Sequence, residues 1–349
     1  MSTSNHLNRV FLKRTLAGGD LCEDIAAALK WLDAEVVIRP GARVFIKPNL
    51  TWRTPTPGVT VTPLFLRALV QALLPYTSNI TIGESEGGQS CFLAEDAFET
   101  HGLYQLQREF GIRVVNLSKN PQKTVSVEVL GKPVSVQLPS VLLDDTDVFV
   151  TVPVPKVHAM TGVSLGFKNQ WGCLSDNMRV TKHPQFDTTI VAINKILKPS
   201  LCIFDGTYFL DHTGPMMGEA VPMGMVIAGN DAGAASLACC EVMGINPMSI
   251  GHHRVALAEG MFPRSIDEIQ MSEPASSFQR RKFRLRRAPI NYIHLAAFHN
   301  SLLNRMFYNS LFADGLHQFL WIVRRNYFVK KFLYGKYGTG EANRGGGVR

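Results

Sequence analysis

Apolar stretches of two different periods alternate along the first 250 residues of the chain. Helical periodicity, with an apolar residue every three or four positions, separates short runs that predict buried strands. These runs are RVFIK (43–47), ITIG (80–83), IRVVNL (112–117), DVFVTVP (147–153), LCIF (201–204) and GMVIAG (224–229). Such alternation is typical of an α/β fold, and it predicts a layered sandwich with a mainly parallel sheet.

Capping and turn residues set several boundaries within this pattern. Asp20 predicts the start of one helix, and Thr62 followed by Pro63 predicts the start of another. The segment VSVEVLGKPVSVQL (125–138) alternates with a period of two around Gly-Lys-Pro. We therefore expect a small β-hairpin inserted in the α/β domain.

Polar side chains follow five of the predicted strands directly, which indicates a site at the strand ends. In an open parallel sheet the ligand crevice lies outside the carboxyl ends of the strands, so the five segments should converge. The segments begin at Lys47, Glu84, Lys156, Asp205 and Asn230-Asp231.

The residue types at these positions favour an anionic ligand and proton-transfer chemistry. Cations suit a carboxylate or phosphate group. Binding roles are predicted for Lys47, Asn49, Arg53, Lys156, Asn169 and Asp205. His158, Glu84 and Lys168 are the catalytic candidates, with His158 and Glu84 as acid and base. His183 and His158 are candidate metal ligands.

The run 155–172 combines these cations with glycines at 162, 166 and 172. Glycine lets backbone N–H groups approach a ligand closely, so we expect a loop that reaches the crevice; the alternative is a positively charged surface loop. The run is neither a P-loop nor a GxGxxG fingerprint, and nucleotide binding therefore has no motif to support it.

Cysteine spacing and hydropathy exclude several classes of protein. The six cysteines contain no CxxC pair and no zinc-like or ferredoxin-like spacing, so we expect no intrinsic iron–sulfur cluster. The sequence has no run of about 18 apolar residues and no secretory signal. We therefore expect a cytoplasmic protein, with a peripheral membrane location as an alternative.

Positive charge is concentrated near the C-terminus. Residues 278–337 carry a net charge of +11, whereas residues 1–277 carry −4. This contrast divides the chain into an α/β domain (1–277), a basic extension of amphipathic helices (278–337) and a flexible tail (338–349). Lys and Arg interleaved with aromatic residues suit an anionic membrane surface, and they also suit a helical lid or a homo-oligomer contact. No nucleic-acid-binding motif accompanies the charge.

Several separated blocks resemble the domain-of-unknown-function 362 family over roughly residues 40–265. The blocks are KPNL (47–50), GES (83–85), PKVH (155–158), GFKNQWG (166–172), the DG of 205–206, GPMMG (214–218) and AGNDAGAAS (228–236). Members of this family are often joined to ferredoxin-like iron–sulfur modules, for which this chain has no cysteines. Ser236 departs from the family pattern, which usually has an aspartate there.

A more distant resemblance concerns the spacing H-x3-G-x-S-x-G-x-K, which runs from His158 to Lys168. It is similar to the segment with which lactate racemase-type enzymes hold a nickel pincer cofactor. The resemblance implies that Lys168 carries the cofactor covalently, that His183 ligates nickel and that Arg53 grips a substrate carboxylate. Two departures are Leu165, where such enzymes have glycine, and the stretch ESEGGQS, which lacks a catalytic histidine.

These observations leave three functional hypotheses. The first is an isomerase- or lyase-type enzyme that acts on a small or lipid-linked carboxylate or phosphate. The second is a non-catalytic, membrane-docked ligand-binding or scaffolding protein. The third is a redox protein that works with an iron–sulfur partner.

Overall fold

A computed structural model describes residues 8–15 and 18–309 of the 349-residue chain. Twelve strands lie within the described residues: β1 Asn8–Arg14, β2 Val44–Pro48, β3 Ile80–Glu84, β4 Arg113–Asn116, β5 Gln122–Val129, β6 Lys132–Pro139, β7 Val148–Val152, β8 Lys156–His158, β9 Gly162–Ser164, β10 Leu201–Asp211, β11 Glu219–Gly229 and β12 Ile269–Met271. The first prediction of a mixed α/β fold is thus confirmed.

The main sheet is mainly parallel, as predicted. Eight of its strands lie in the order β12-β1-β11-β10-β7-β2-β3-β4, and β8 and β9 form a short antiparallel pair beside β10. Strands β10, β7, β2, β3 and β4 all run in parallel. Their carboxyl ends therefore lie at one edge of the sheet, where a ligand crevice is expected.

Helices cover both faces of this sheet and bury two large apolar cores. In the described part of the chain the α-helices are α1 Leu21–Trp31, α2 Ala34–Val37, α3 Pro63–Leu73, α4 Ala94–Thr100, α5 Leu103–Phe110, α6 Ser140–Asp144, α7 Gly166–Asn169, α8 Phe186–Leu197, α9 Ala232–Met243, α10 Gly251–Ala258, α11 Pro289–His299 and α12 Ser301–Tyr308. α1 and α3 to α5 cover one face, and α8 to α10 cover the other.

The predicted capping residues and hairpin are found in the structure. Asp20 accepts a hydrogen bond from the Cys22 amide and Thr62 accepts one from the Phe65 amide, and each begins its helix. The hairpin pairs β5 with β6 over residues 122–139 and packs against α8.

The direction of β11 differs from the expectation. β11 runs antiparallel to β10, with Gly229 opposite Cys202 at the start of that strand. Asn230 and Asp231 therefore lie at the opposite edge of the sheet from the carboxyl ends of the parallel strands. The prediction that five polar segments converge was wrong for this pair. Asp231 instead caps α9 by accepting a hydrogen bond from the Ala234 amide.

The described part of the basic extension packs on the α/β domain. Residues 279–287 are not helical, and Arg281 pairs with Asp211 at 2.8 Å and with Glu219 at 2.8 Å. The helical part of the extension that is described is divided into α11 and α12 at Asn300, which caps α12. The rest of the predicted extension, from residue 310, and the tail lie outside the described residues. Within 8–15 and 18–309, no helix has both the length and the apolar character needed to cross a bilayer.

Candidate functional site

An inner cavity of about 100 Å³ lies beside the carboxyl ends of β2 and β3, between these strands and α7. Four cationic side chains line it, namely Lys47, Lys156, Lys168 and Arg179, against two carboxylates, Glu84 and Glu86. Burial makes unbalanced charge costly, so such a cavity favours an anion.

Lys47 and Glu84 form a buried ion pair on neighbouring strands. The Lys47 ammonium lies 2.6 Å from Glu84 Oε2, and both side chains are almost fully buried. The amides of Leu50 and Ser85 also donate hydrogen bonds to the Glu84 carboxylate. Three donors thus contact the Glu84 carboxylate, and the ion pair makes this residue the counterion of Lys47.

Lys156 is completely buried, and among the described residues it forms no ion pair with a carboxylate. Its ammonium donates to Asn49 Oδ1 at 3.1 Å and to the carbonyl of Val59. Burial, together with the nearby Lys168, lowers the pKa of Lys156 well below its ordinary value. Both acceptors are uncharged oxygen atoms, so a negatively charged ligand nearby would favour the protonated form of Lys156.

Lys168, on α7, faces the inner cavity and the larger space outside it. Within the described residues its ammonium makes no hydrogen bond and no ion pair. Burial, with smaller contributions from Arg179 and Lys47, lowers the pKa of Lys168 to about 8. An amine with this pKa can exchange a proton near neutral pH.

Arg179 completes the cluster of cations, and sequence reasoning missed it. Its guanidinium donates to Ser85 Oγ and to the carbonyls of Leu174 and Glu86, so it is firmly placed although it lies in a 3-10 helix at 179–185. No motif surrounds Arg179, and its only sequence signal is that it follows the glycine-rich run.

Asn169 fixes the position of this run rather than presenting a free amide to the cavity. Its Nδ2 group donates to the carbonyl of Lys47 and to Thr151 Oγ1, each at 2.9 Å. Thr151 Oγ1 in turn donates to Gln170 Oε1 at 2.9 Å. This buried network holds α7 against β2 and β7, and so sets the position of Lys168.

An outer cleft of about 490 Å³ continues from the inner cavity. His158 lines this cleft, and its Nδ1 accepts hydrogen bonds from the amides of Met160 and Thr161 at 3.1 and 3.3 Å. Burial lowers the pKa of His158 well below its ordinary value, and Lys168 lowers it further. The ring is therefore neutral at pH 7 and carries its proton on Nε2, which makes it a hydrogen-bond donor to the cleft.

His183 also lines the outer cleft, between the rings of Trp171 and Phe298. Burial is the main cause that lowers the pKa of His183 to about 3. Lys168 and His183 thus border one space. In the part of the chain that the structure describes, however, no three His, Cys, Asp or Glu side chains are grouped to hold a metal ion.

Two of the predicted binding residues lie elsewhere. Arg53 is exposed and borders neither space. Asp205 is buried, and its carboxylate accepts hydrogen bonds from the Thr62 amide at 2.7 Å and from Thr207. Asp205 therefore holds the start of α3 against β10. These positions correct the expectation that both residues contact the ligand.

The glycines of 162–172 allow close packing of the protein against itself rather than against a ligand. A Cβ atom at Gly172 would lie 2.6 Å from Glu84 Oε1 and 2.9 Å from Lys47 Nζ. A Cβ atom at Gly166 would lie 2.9 Å from the carbonyl oxygen of Ala232. Gly172 thus lets the backbone pass directly over the ion pair, at one wall of the inner cavity.

Two known proteins show measurable similarity to this chain. A thylakoid-associated protein of Synechocystis sp. is 26% identical over 221 residues, which are 61% of this chain and 66% of that protein. The chain therefore spans slightly less than two thirds of that relative's length. A crystal structure of a Thermotoga maritima protein matches 63% of this chain and 59% of its own, with 16% identity and a TM-score of 0.41.

A family match covers the inner cavity. Residues 44–241 match the family described as "Domain of unknown function (DUF362)", and this range is more than half of the chain. The range includes Lys47, Glu84, Lys156, Lys168 and Arg179. The chain belongs to the DUF362 family.

Proposed function

We propose that this protein is an enzyme that binds a small or lipid-linked carboxylate or phosphate in the inner cavity and performs proton-transfer chemistry on it. One observation carries the proposal: four cations face two carboxylates in a buried space. One of these carboxylates is already paired with Lys47. Neither Lys156 nor Lys168 is paired with a carboxylate of the described residues. A bound anion would supply that negative charge.

The proton-transfer part rests on Lys168 and His158. Lys168 binds the anion as an ammonium, and because its pKa is about 8 it can give a proton to the ligand and then take one back as the amine. His158 can donate a hydrogen bond from Nε2 and stabilise negative charge that develops on the ligand. In this proposal Glu84 orients Lys47 and takes no proton itself. Such a pair of groups suits an isomerase or a lyase.

We expect the protein to bind phosphate and malonate, with an affinity that falls as the pH rises through about 8. Lys168 loses its positive charge over this range, whereas malonate keeps the same charge. Isothermal titration calorimetry in two buffers of different ionisation enthalpy would measure both affinity and proton uptake. Proton uptake is expected at pH 8, because the anion raises the pKa of Lys168. Equal malonate affinity at pH 7 and pH 10, or no binding, would contradict the proposal.

A nickel cofactor stays a prediction from the resemblance alone. Lys168 and His183 are the residues that would hold it. Such a cofactor would supply an electrophilic centre for hydride chemistry. Intact mass and elemental analysis of protein from its native host would test for it.

Membrane docking is a second candidate function, favoured by the surface near α11 and α12. Tyr292, Ile293 and Leu302 are 48–69% exposed there. Exposed cations precede them at Lys282, Arg284 and Arg286. Apolar side chains beside cations are typical of a surface that binds anionic lipid. The thylakoid-associated relative agrees with this proposal.

The protein is accordingly expected to sediment with anionic liposomes at low salt and to be released at high salt, because salt screens the attraction. Replacing Lys282, Arg284 and Arg286 together with Gln should weaken binding by about two orders of magnitude, at about 1 kcal/mol per cation. A control variant removes the same charge from exposed positions of the α/β domain: Lys30, Arg39 and Lys132. Equal loss in both variants, or equal binding to neutral vesicles, would refute a specific docking surface.

A further inference from the structure

The outer cleft differs from the inner cavity in both size and chemistry. Its volume of about 490 Å³ lies in the range of ligand pockets, whereas about 100 Å³ holds only a group the size of about three water molecules. Much of the cleft's lining is apolar, with Met160, Trp171, Phe186, Met217 and Phe298 among its walls. The inner cavity thus favours a charged group of a ligand, and the outer cleft favours an apolar group.

The two spaces are continuous. Lys168, Trp171, Arg179 and Pro215 line both of them, so one ligand can occupy both at once. Lys168 and Arg179 provide charge at the junction, and the indole of Trp171 provides an apolar surface there.

α11 closes one side of the outer cleft. Phe298 is 4% exposed, and its ring lies 5.6 Å from that of Phe186 and 4.8 Å from that of His183. An apolar group beneath this helix would be removed from water, which is the main source of apolar binding energy. Methionine side chains such as Met160 and Met217 can adapt to the shape of that group.

We propose that the ligand is an amphiphile. A single carboxylate or phosphate head group occupies the inner cavity, and an apolar chain or ring system longer than a few carbons occupies the outer cleft. This inference rests on the proposed anion site and selects the class of its ligand. The Met216 side chain, 45% exposed, borders the cleft and marks a side through which the ligand can enter.

Calorimetry with a series of alkyl phosphates below their micellar concentrations tests this inference: inorganic, ethyl, butyl and octyl phosphate, with acetate, butyrate and octanoate as the carboxylate series. We expect affinity to rise about threefold to fourfold per methylene until the cleft is filled. If inorganic phosphate binds more tightly than acetate, the preferred head group is a phosphate; if acetate binds more tightly, it is a carboxylate.

Variants of one residue in the wall of the outer cleft distinguish binding of the ligand's apolar chain from binding of its head group. Met217→Glu places a charge in the outer cleft and should abolish the increase in affinity from butyl phosphate to octyl phosphate. Met217→Gln should reduce this increase. Met178→Glu is the matched control, because Met178 is 39% exposed and lines neither space. Met178→Glu should keep the full gain. Thermal unfolding of each variant shows whether it is folded.

The outcomes distinguish this inference from the proposed function. Equal affinity for inorganic and octyl phosphate would overturn the amphiphile and leave the anion site standing. Octanol that binds as tightly as octyl phosphate would also overturn it, because the head group would then contribute nothing. If Met217→Glu keeps the full increase in affinity from butyl to octyl phosphate, the apolar chain of the ligand binds outside the cleft, and the inference is overturned as well. Failure of every anion to bind would overturn both proposals.

Discussion

Lys168→Met is expected to weaken anion binding at least tenfold and yet make the folded protein more stable at pH 7. The loss of binding follows because the variant lacks a charged donor at the junction of the two spaces. The gain in stability follows because folding lowers the pKa of Lys168 from 10.5 to about 8, mainly through burial. Each pKa unit corresponds to about 1.36 kcal/mol, and the opening to the cleft reduces the effect, so we expect a gain of about 1–3 kcal/mol.

The pH dependence of this gain gives the sharper measurement. Below about pH 8 both the folded and the unfolded protein carry the proton on Lys168, and the full cost of the buried charge is present. Between about pH 8 and 10.5 the folded protein loses this proton first, so the cost disappears as the pH rises. The free energy of unfolding should therefore differ between wild type and Lys168→Met at pH 7 and converge near pH 10.5.

Lys123→Met is the matched control, because Lys123 is an exposed lysine of the hairpin that pairs with Asp144. Its effect on stability should be below about 1 kcal/mol at every pH, and its effect on anion binding should be nil. A Lys168→Met variant that is less stable than wild type at pH 7 would show that the ammonium has a partner in the folded state.

Glu84→Gln is expected to destabilise the protein by about 3–5 kcal/mol, the usual cost of breaking a buried ion pair by removing one partner. The variant leaves the buried Lys47 ammonium among three other cations without its counterion. Urea-induced unfolding measures this loss. Adding Lys47→Met to Glu84→Gln should recover much of the stability, since the uncompensated charge is then removed.

The control for Glu84 is Glu95→Gln, which breaks an exposed pair with Lys119 and should cost less than about 1 kcal/mol. If Glu84→Gln costs no more than this control while it abolishes turnover, Glu84 acts as a free acid or base rather than as a counterion. The same two variants thus decide between the role predicted from the sequence and the role that the contacts favour.

Six strands of the main sheet could be predicted from the sequence because each contains a short apolar run, but the direction of β11 could not. Residues 224–229 are as apolar as a buried parallel strand, and only the pairing with β10 shows that β11 runs the other way. β1 was missed for a related reason. Its seven residues include four polar or charged ones at the ends, and its partners, β11 and β12, lie more than 200 residues away.

The same limit applies to the candidate site. Lys47 and Glu84 could be predicted together because each lies at the end of an apolar run, and such ends meet at one side of a parallel sheet. Asp205 could not be distinguished from them, since a carboxylate after a strand can equally well hold the backbone of another segment. Arg179 reaches the cavity from a 3-10 helix, whose path depends on tertiary contacts rather than on a period in the sequence.

The position of α11 in the chain divides the two spaces between different parts of the protein. Every residue that lines the inner cavity falls within 47–215, inside the range of the family match, whereas Asn291, His294 and Phe298 of the outer cleft come from beyond its end at 241. The segment that carries α11 therefore lies outside the part of the chain that matches the family. Substitutions in residues 289–299 would alter the outer wall and leave the cluster of cations in place, so that new ligand shapes can be accommodated without changing the residues that recognise the charge.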